Sequence, residues 1–512
     1  MKILAGNGSF YVDWPIFTIR KEKLMKKKII GIVLVGVMAA SLAACGGGSK
    51  ETQAPAAETE AAGSEAAAET EAAGGDAAEA TGDFNWKAYE GTTLHILFNE
   101  HTYSKAVIEK IPDFEALTGM TVEYSSTPES NYFDKVNTSL SSRSGDSDVF
   151  MTGAYQVWEY APAGYMEDLQ PYIDDPTKTA ADYNFDDFIP AAIDSLRWDM
   201  VPGHPVGEGS LWAIPMGWEL NTVAYNKRIF EEKQVEPPKT TDELMAVATS
   251  LNEFDGSGTY GIAVRGSREW ATIHPGYMSL FATWGGQDFA IEDGKLVCKL
   301  DSPEAIAMTD YWVNLIKQAG PPQWSTYTWY QASADLGAGK AAMLFDATSA
   351  AYFQNVEGGS AESGNIAWTG IPLPEGKDTM KSNVWVWSLA MNAFSQNKDA
   401  AWYFIQYFTS PEFMQWSGTE GSCADTPRQS VMDSDEYKAI AGSADNYLET
   451  FAQLAPNASI FFTPQPYFFE CTTTWAETLQ DLVTSDKYSS TEEAMKQLKA
   501  NLDKVVQDIE VE

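Results

Sequence analysis

The chain is 512 residues long and 44% hydrophobic, enough for large cores and too long for one ordinary domain. Its 34 Lys and Arg against 72 Asp and Glu give a formal net charge of -38, which excludes the basic footprint that nucleic acids or anionic lipid surfaces require. Four Cys and four His leave little room for a disulfide scaffold or a metal site, whereas 17 Trp, 23 Tyr and 24 Phe suit a neutral ligand.

The first predicted element is a targeting segment. Met25-Lys26-Lys27-Lys28 is a basic start, and Ile29 to Ala44 is an apolar run of 16 residues, short for a membrane span. It ends in Leu42-Ala43-Ala44-Cys45, followed by Gly46-Gly47-Gly48. This order resembles a bacterial lipoprotein signal with its lipobox. The resemblance implies cleavage before Cys45, lipidation of its sulfur, and attachment to the outer face of a cell membrane, as in a Gram-positive bacterium. A plain secretory signal or a buried helix is the alternative. Residues 1–24 fit no part of this scheme and are read as a mis-called start. Residues 46–83 are almost wholly Gly, Ala, Glu, Thr and Ser. Such a stretch cannot bury enough apolar surface to offset its ordering entropy, so it reads as a disordered acidic linker.

The body from Phe84 onwards, about 430 residues, is sized for two domains. Leu94 to Phe98 reads as a strand. A helix follows, with Val107, Ile111, Phe114 and Leu117 on one face and Gly119 as its C-terminal cap. Thr121 to Tyr124 reads as a strand, 131–142 as a helix, and Asp148 to Met151 as a third strand. A βαβαβ order predicts an α/β fold with a mainly parallel sheet, whose ligands sit at the carboxyl ends of its strands. Asn99-Glu100-His101 and Thr152-Gly153-Ala154-Tyr155-Gln156 occupy such ends. Neither is a phosphate loop, so no nucleotide is favoured. Thr240 and Glu243 form a capping box that opens a later helix.

The run Leu211-Trp212-Ala213-Ile214-Pro215-Met216-Gly217-Trp218-Glu219-Leu220-Asn221-Thr222-Val223-Ala224-Tyr225-Asn226-Lys227 carries the most information. With it go Gly164-Tyr165-Met166-Glu167-Asp168-Leu169, Gly339-Lys340-Ala341-Ala342-Met343, Asn397 to Ile405, and Thr409-Ser410-Pro411-Glu412. Together they resemble the extracellular solute-binding proteins of bacterial carbohydrate ABC transporters, the maltose-binding-protein-like family, over essentially all of 84–512. The resemblance implies a two-lobed periplasmic-binding-protein-like fold of type II, with two mixed sheets flanked by helices and joined by hinge segments. It places chain crossings near Leu220-Asn221, near Lys381–Val384 and near Cys423–Arg428. The first lobe is then 84–220 plus 385–425, and the second 221–384 plus 428–512. It further implies hinge closure on a carbohydrate, delivery to ABC permease subunits, no cofactor, no resident metal, no nucleic acid, and a monomer.

A sugar or polyol needs rings for its C–H faces and paired polar groups for its desolvated hydroxyls. Carried over by position, Glu219 falls where the family has a Glu that reaches the sugar, and Trp218 lies beside it. Asn99, Glu100 and His101 form the first contact loop, with Tyr155 and Gln156 the corresponding place after the third strand. Alternation puts Trp385 and Trp387 on one face of a strand, Trp385 as a stacking ring and Trp387 as core. Arg265 and His274 lie where the family places aromatic contacts. The departure to His274-Pro275-Gly276 suggests a ligand smaller than a maltodextrin or differently shaped, with monosaccharide, polyol and short oligosaccharide all open. Trp475 matches a late aromatic of the family, Thr348-Ser349 follows the Gly339 segment, and Arg428 stands at the third crossing. Trp324, Tyr327, Trp329 and Tyr330 are either cleft rim or core. Asp255-Gly256-Ser257-Gly258-Thr259 lacks the last acidic ligand of a calcium loop and reads as a turn. A Cys423–Cys471 disulfide stays open. A secreted glycoside hydrolase and a binder of another solute remain the competing classes; the first needs a second carboxylate paired with Glu219.

Overall fold

The computed structural model describes residues 84–511, so the lipoprotein-like signal, Cys45 and the acidic linker lie outside the described residues. Strands β1 (Thr93–Asn99), β2 (Thr121–Thr127) and β3 (Val149–Thr152) alternate with helices α1 (Thr102–Thr118) and α2 (Glu129–Ser142). β1 pairs in parallel with both β2 and β3, giving the expected βαβαβ unit. Helix α1 buries Val107, Ile111 and Phe114 and stops at Gly119, whose φ of 73° is left-handed and whose N–H donates to Glu115 O. Leu117, expected on the same face, is exposed; Thr118 takes the buried position instead.

The remaining strands of the large sheet are β4 (Ile214–Asn226), β5 (Tyr260–Ala263), β6 (Ala341–Ala347), β7 (Ile366–Thr369), β8 (Ser382–Met391) and β9 (Ala458–Ser459). The order is β2-β1-β3-β8-β4-β6-β5, with β7 also on β4 and β9 on β8. The two mixed sheets expected from the resemblance are thus continuous through shared strands. β4 is what joins them. It pairs antiparallel with β8 through Leu220, with Glu219 opposite Trp385. From Asn221 onwards it pairs with β6, with Asn221 opposite Ala347. One ribbon therefore changes neighbours between Leu220 and Asn221, and all 13 of its residues are buried. Buried on both faces, such a ribbon shows no strict alternation: Glu219, Asn221, Thr222 and Asn226 sit buried among its apolar residues.

The change of neighbours is pinned by side chains. Asn221 Nδ2 donates to Asn383 O at 2.6 Å, and Ser382 Oγ donates to Asn221 O at 2.9 Å. Asn383 Nδ2 donates both to Tyr155 Oη, 2.8 Å away, and to His274 O, 2.7 Å away. Each of these buried amides would cost about 1–3 kcal/mol if left unpaired.

Four further helices position the site: α3 (Thr241–Ser250), α4 (Gly276–Trp284), α5 (Trp329–Gly337) and α6 (Thr348–Asn355). α3 opens with the predicted capping box, Thr240 Oγ1 accepting from Glu243 N at 3.2 Å and the Glu243 carboxylate accepting from Thr240 N at 3.1 Å. The segment 255–259 is a turn, held by Thr259 Oγ1 donating to Gly256 O at 3.0 Å. No group of three acidic, His or Cys side chains among the described residues is arranged to hold a metal. Cys298, Cys423 and Cys471 are buried free thiols, so the Cys423–Cys471 disulfide is not formed.

Candidate functional site

Where β4 and β8 meet the ends of β1, β2 and β6, the chain forms a narrow, partly open cavity of about 20 Å³, room for about one water. Its aromatic walls are Trp270, Trp329, Phe353, Trp385 and Trp387. Trp385 and Trp387 project from the same face of β8, their ring centroids 5.0 Å apart at 84°. Trp270 lies 5.3 Å from Trp385 at 34°, and Phe133 stacks behind Trp387.

Glu219 projects from β4 into this box and is 4% exposed. Burial, reinforced by the negative charge of Asp425, pushes its carboxyl up to about 8, while Ser349 and Arg265 oppose the shift. Its Oε1 has no hydrogen-bond partner among the described residues. The nearest imidazole nitrogen is His101 Nε2 at 3.9 Å, too far for a hydrogen bond. His101 is the N-cap of α1: its Nδ1 accepts from Tyr103 N, and its ring stacks on Tyr103 at 5.1 Å. Burial and Lys105 bring His101 down to about 3, so it is neutral and cannot neutralise Glu219. Asp425, behind Glu219, accepts from Thr348 Oγ1 at 2.8 Å and from the Tyr447 hydroxyl. Burial lifts it to about 7.

Arg265 is 7% exposed and clamped on Asp346 at the end of β6, with Nε to Oδ2 at 2.8 Å and Nη2 to Oδ1 at 2.6 Å. Its Nη1 lies 3.0 Å from His274 Nε2. On the opposite wall, Glu129 at the first position of α2 accepts from Asn99 Nδ2 at 3.3 Å and from Trp329 Nε1 at 3.2 Å. Burial raises the Glu129 carboxyl above its usual range, against Arg265 and these two donors. Ala271 from the single turn after Trp270, and Ala347, Ser349 and Ala350 around the start of α6, complete the lining.

Residues 99–415 match the family described as "Bacterial extracellular solute-binding protein". The chain belongs to this family. It is 42% identical over 414 residues to an erythritol/L-threitol-binding protein of Mycolicibacterium smegmatis, covering 80% of this chain and 86% of that one. It is 27% identical over 371 residues to a mannitol-binding protein of Pseudomonas aeruginosa, covering 71% and 78%. A solute-binding protein of Agrobacterium radiobacter in complex with ribitol superposes with a TM-score of 0.71 at 20% identity, over 81% of this chain and 99% of that chain. A maltose-bound protein of T. maritima gives 0.68 at 20%, over 81% and 100%. At that identity the solved structures establish the fold: two lobes of mixed sheet flanked by helices.

Of the residues singled out in the sequence, this family member brings His101, Glu219, Arg265, His274 and Trp385 to one cavity. The others are placed around it. Alternation turns Trp218 to the opposite face of β4 from Glu219, where it packs on Phe451. Asn99 holds Glu129, and Glu100 offers only its carbonyl to Tyr330, at 3.4 Å. Tyr155 is fixed beneath the wall by its hydroxyl, which donates to Val384 O at 2.9 Å, and Gln156 is buried with its Oε1 unpartnered. Thr348 bonds Leu220 O and Asp425 instead of lining the cavity. Trp475 packs on Tyr277 and Phe281 in a helix-face core. Arg428 lies flat on Phe188 at 3.9 Å and binds Thr409 O, Asn184 O and Asp187, away from the cavity.

Trp387 is core as expected, 4% exposed, and also forms part of the wall, because it shares a strand face with Trp385. Glu129 and Phe353 were missed. Glu129 follows β2, whose carboxyl end also falls under the rule that ligands gather at strand carboxyl ends.

Proposed function

We propose that this solute-binding protein captures a small acyclic polyol and hands it to an ABC importer. The observation that carries the reading is the cavity itself: five aromatic rings around a narrow, partly open space that also holds polar atoms of Glu219 and His274 without partners among the described residues. Rings take C–H faces, and buried donors and acceptors take hydroxyls, so the walls match a neutral polyhydroxylated molecule. The restricted room favours a short chain over an oligosaccharide. The 42% identical relative is named for erythritol and L-threitol, which supports the same choice.

In this reading the two lobes, 84–220 plus 385–425 and 221–384 plus 428–512, part at the Leu220-Asn221 ribbon to admit ligand and then close on it. Glu219, His274, Arg265, His101 and Trp385 contact the ligand, and Trp270, Trp387 and Glu129 join them. The protein acts as a monomer without a cofactor and leaves its ligand chemically unchanged. It is held at the outer face of the membrane by lipid on Cys45; mass spectrometry finding an unmodified Cys45 would refute that anchor.

Calorimetry with erythritol, L-threitol, ribitol, D-mannitol and maltose tests the central reading. At least one short polyol binds ten times or more tighter than maltose. Tighter binding of maltose, or polyol consumed during incubation, overturns it.

A further inference from the structure

We infer that Arg265 fixes the tautomer of His274, making that ring an obligatory hydrogen-bond donor that selects ligands by an oxygen placed against Nδ1. The inference rests on the polyol reading and adds to it which partner the ligand must present at this point of the wall.

The argument is one of donors and acceptors. A guanidinium has five N–H donors and no acceptor. Arg265 Nη1 lies 3.0 Å from His274 Nε2, and Nη1 also donates to Ala271 O at 3.2 Å. Nε2 must therefore accept, which places the ring proton on Nδ1. The guanidinium cannot turn away, because Asp346 grips it at two points from a strand end that is 1% exposed. His274 cannot turn either: its carbonyl accepts from Asn383 Nδ2, and its ring is wedged 5.7 Å from Trp270 and 5.5 Å from Trp385. Burial and the Arg265 charge hold His274 well below the usual imidazole range, so the ring is neutral.

Nδ1 is thus a buried N–H with no partner among the described residues, on a ring that lines the cavity. A donor left this way costs free energy unless something supplies an acceptor. A ligand hydroxyl does so. Glu219 Oε1, also without a partner among the described residues and in the same cavity, is a second polar atom that a ligand hydroxyl can meet. Asp346 and Arg265 are positioning residues in this scheme, acting on ligand choice through His274.

Two readouts test it. In protein labelled with ¹⁵N-histidine, His274 should show Nδ1 protonated and Nε2 unprotonated across the neutral range, without ligand; the opposite tautomer overturns the inference. Separately, the tightest-binding polyol of the calorimetric panel is compared with its monodeoxy analogues. The native protein should reject one analogue by about tenfold to a hundredfold, the range expected for a buried donor left unpaired. In His274→Phe that discrimination should vanish, and His274→Asn, which keeps a donor, should restore part of it. Equal weakening for polyol and analogues in His274→Phe would mean a merely structural ring and overturns the proposal. If native protein binds none of the polyols, the functional reading falls with it, while the tautomer assignment is judged by the spectrum alone.

Discussion

Replacing Glu219 by Gln removes one ionisable group and little else, which isolates the effect of the buried carboxyl on stability. The free carboxyl ionises near 4.5 and the folded one near 8. Roughly three to four units at 1.36 kcal/mol each sets an upper bound of about 5 kcal/mol. Asp425, lifted to about 7 and next in line, shares part of the same repulsion, so about 2–3 kcal/mol belongs to Glu219 alone. Because the folded value is the higher one, the folded state holds the proton more tightly. The native protein is then at its most stable below pH 4.5 as far as this group is concerned, loses stability as pH rises towards 8, and stays level above. Neutral His101, 3.9 Å away, offers no compensating charge. Urea denaturation without ligand should find Glu219→Gln about as stable as the native protein at pH 5 and about 2–3 kcal/mol more stable at pH 8.5. A stability difference that does not change between the two pH values would refute the reasoning.

Trp329→Phe keeps a ring but deletes the N–H that reaches Glu129 at 3.2 Å. Leaving this buried carboxyl without its donor costs about 1–3 kcal/mol, so polyol affinity should fall by about tenfold or more, chiefly through faster dissociation in stopped-flow fluorescence. An unchanged dissociation rate would remove Trp329 as a latch. Arg428→Met should behave oppositely. It strands Asp187 and two carbonyls in a core where Arg428 is 0% exposed, costing about 3–5 kcal/mol in chemical denaturation. Calorimetry on the folded variant should return the native affinity, and a large loss of binding would place Arg428 in the site after all.

Much of this molecule was legible in its sequence because local signals and global fold agree there. Val107, Ile111 and Phe114 repeat at helical spacing, Gly119 stops the helix, and Thr240 with Glu243 caps another. Glu219, Arg265 and His274, carried over by position from the family resemblance, and Trp385, read from strand alternation near a crossing, line one cavity. What escaped depends on which way a side chain turns. Trp218 and Glu219 are neighbours in sequence but face opposite sides of β4, and no pattern along an all-buried ribbon says which side is the cavity. Arg428 stands beside a crossing, yet its guanidinium is claimed by carbonyls from segments about 20 and 240 residues away, a pairing that only the fold creates. Glu129 looks like an ordinary acid in the first turn of a helix until Trp329 arrives from 200 residues downstream.

In strand β4, Glu219 is the last residue but one hydrogen-bonded to β8 before the ribbon passes to its other neighbour. In the proposed opening at that joint the acid lies beside the pivot and should move least, while Arg265 and His274, on its far side, should move most. A ligand would then meet Glu219 first and the His274 donor only on closure.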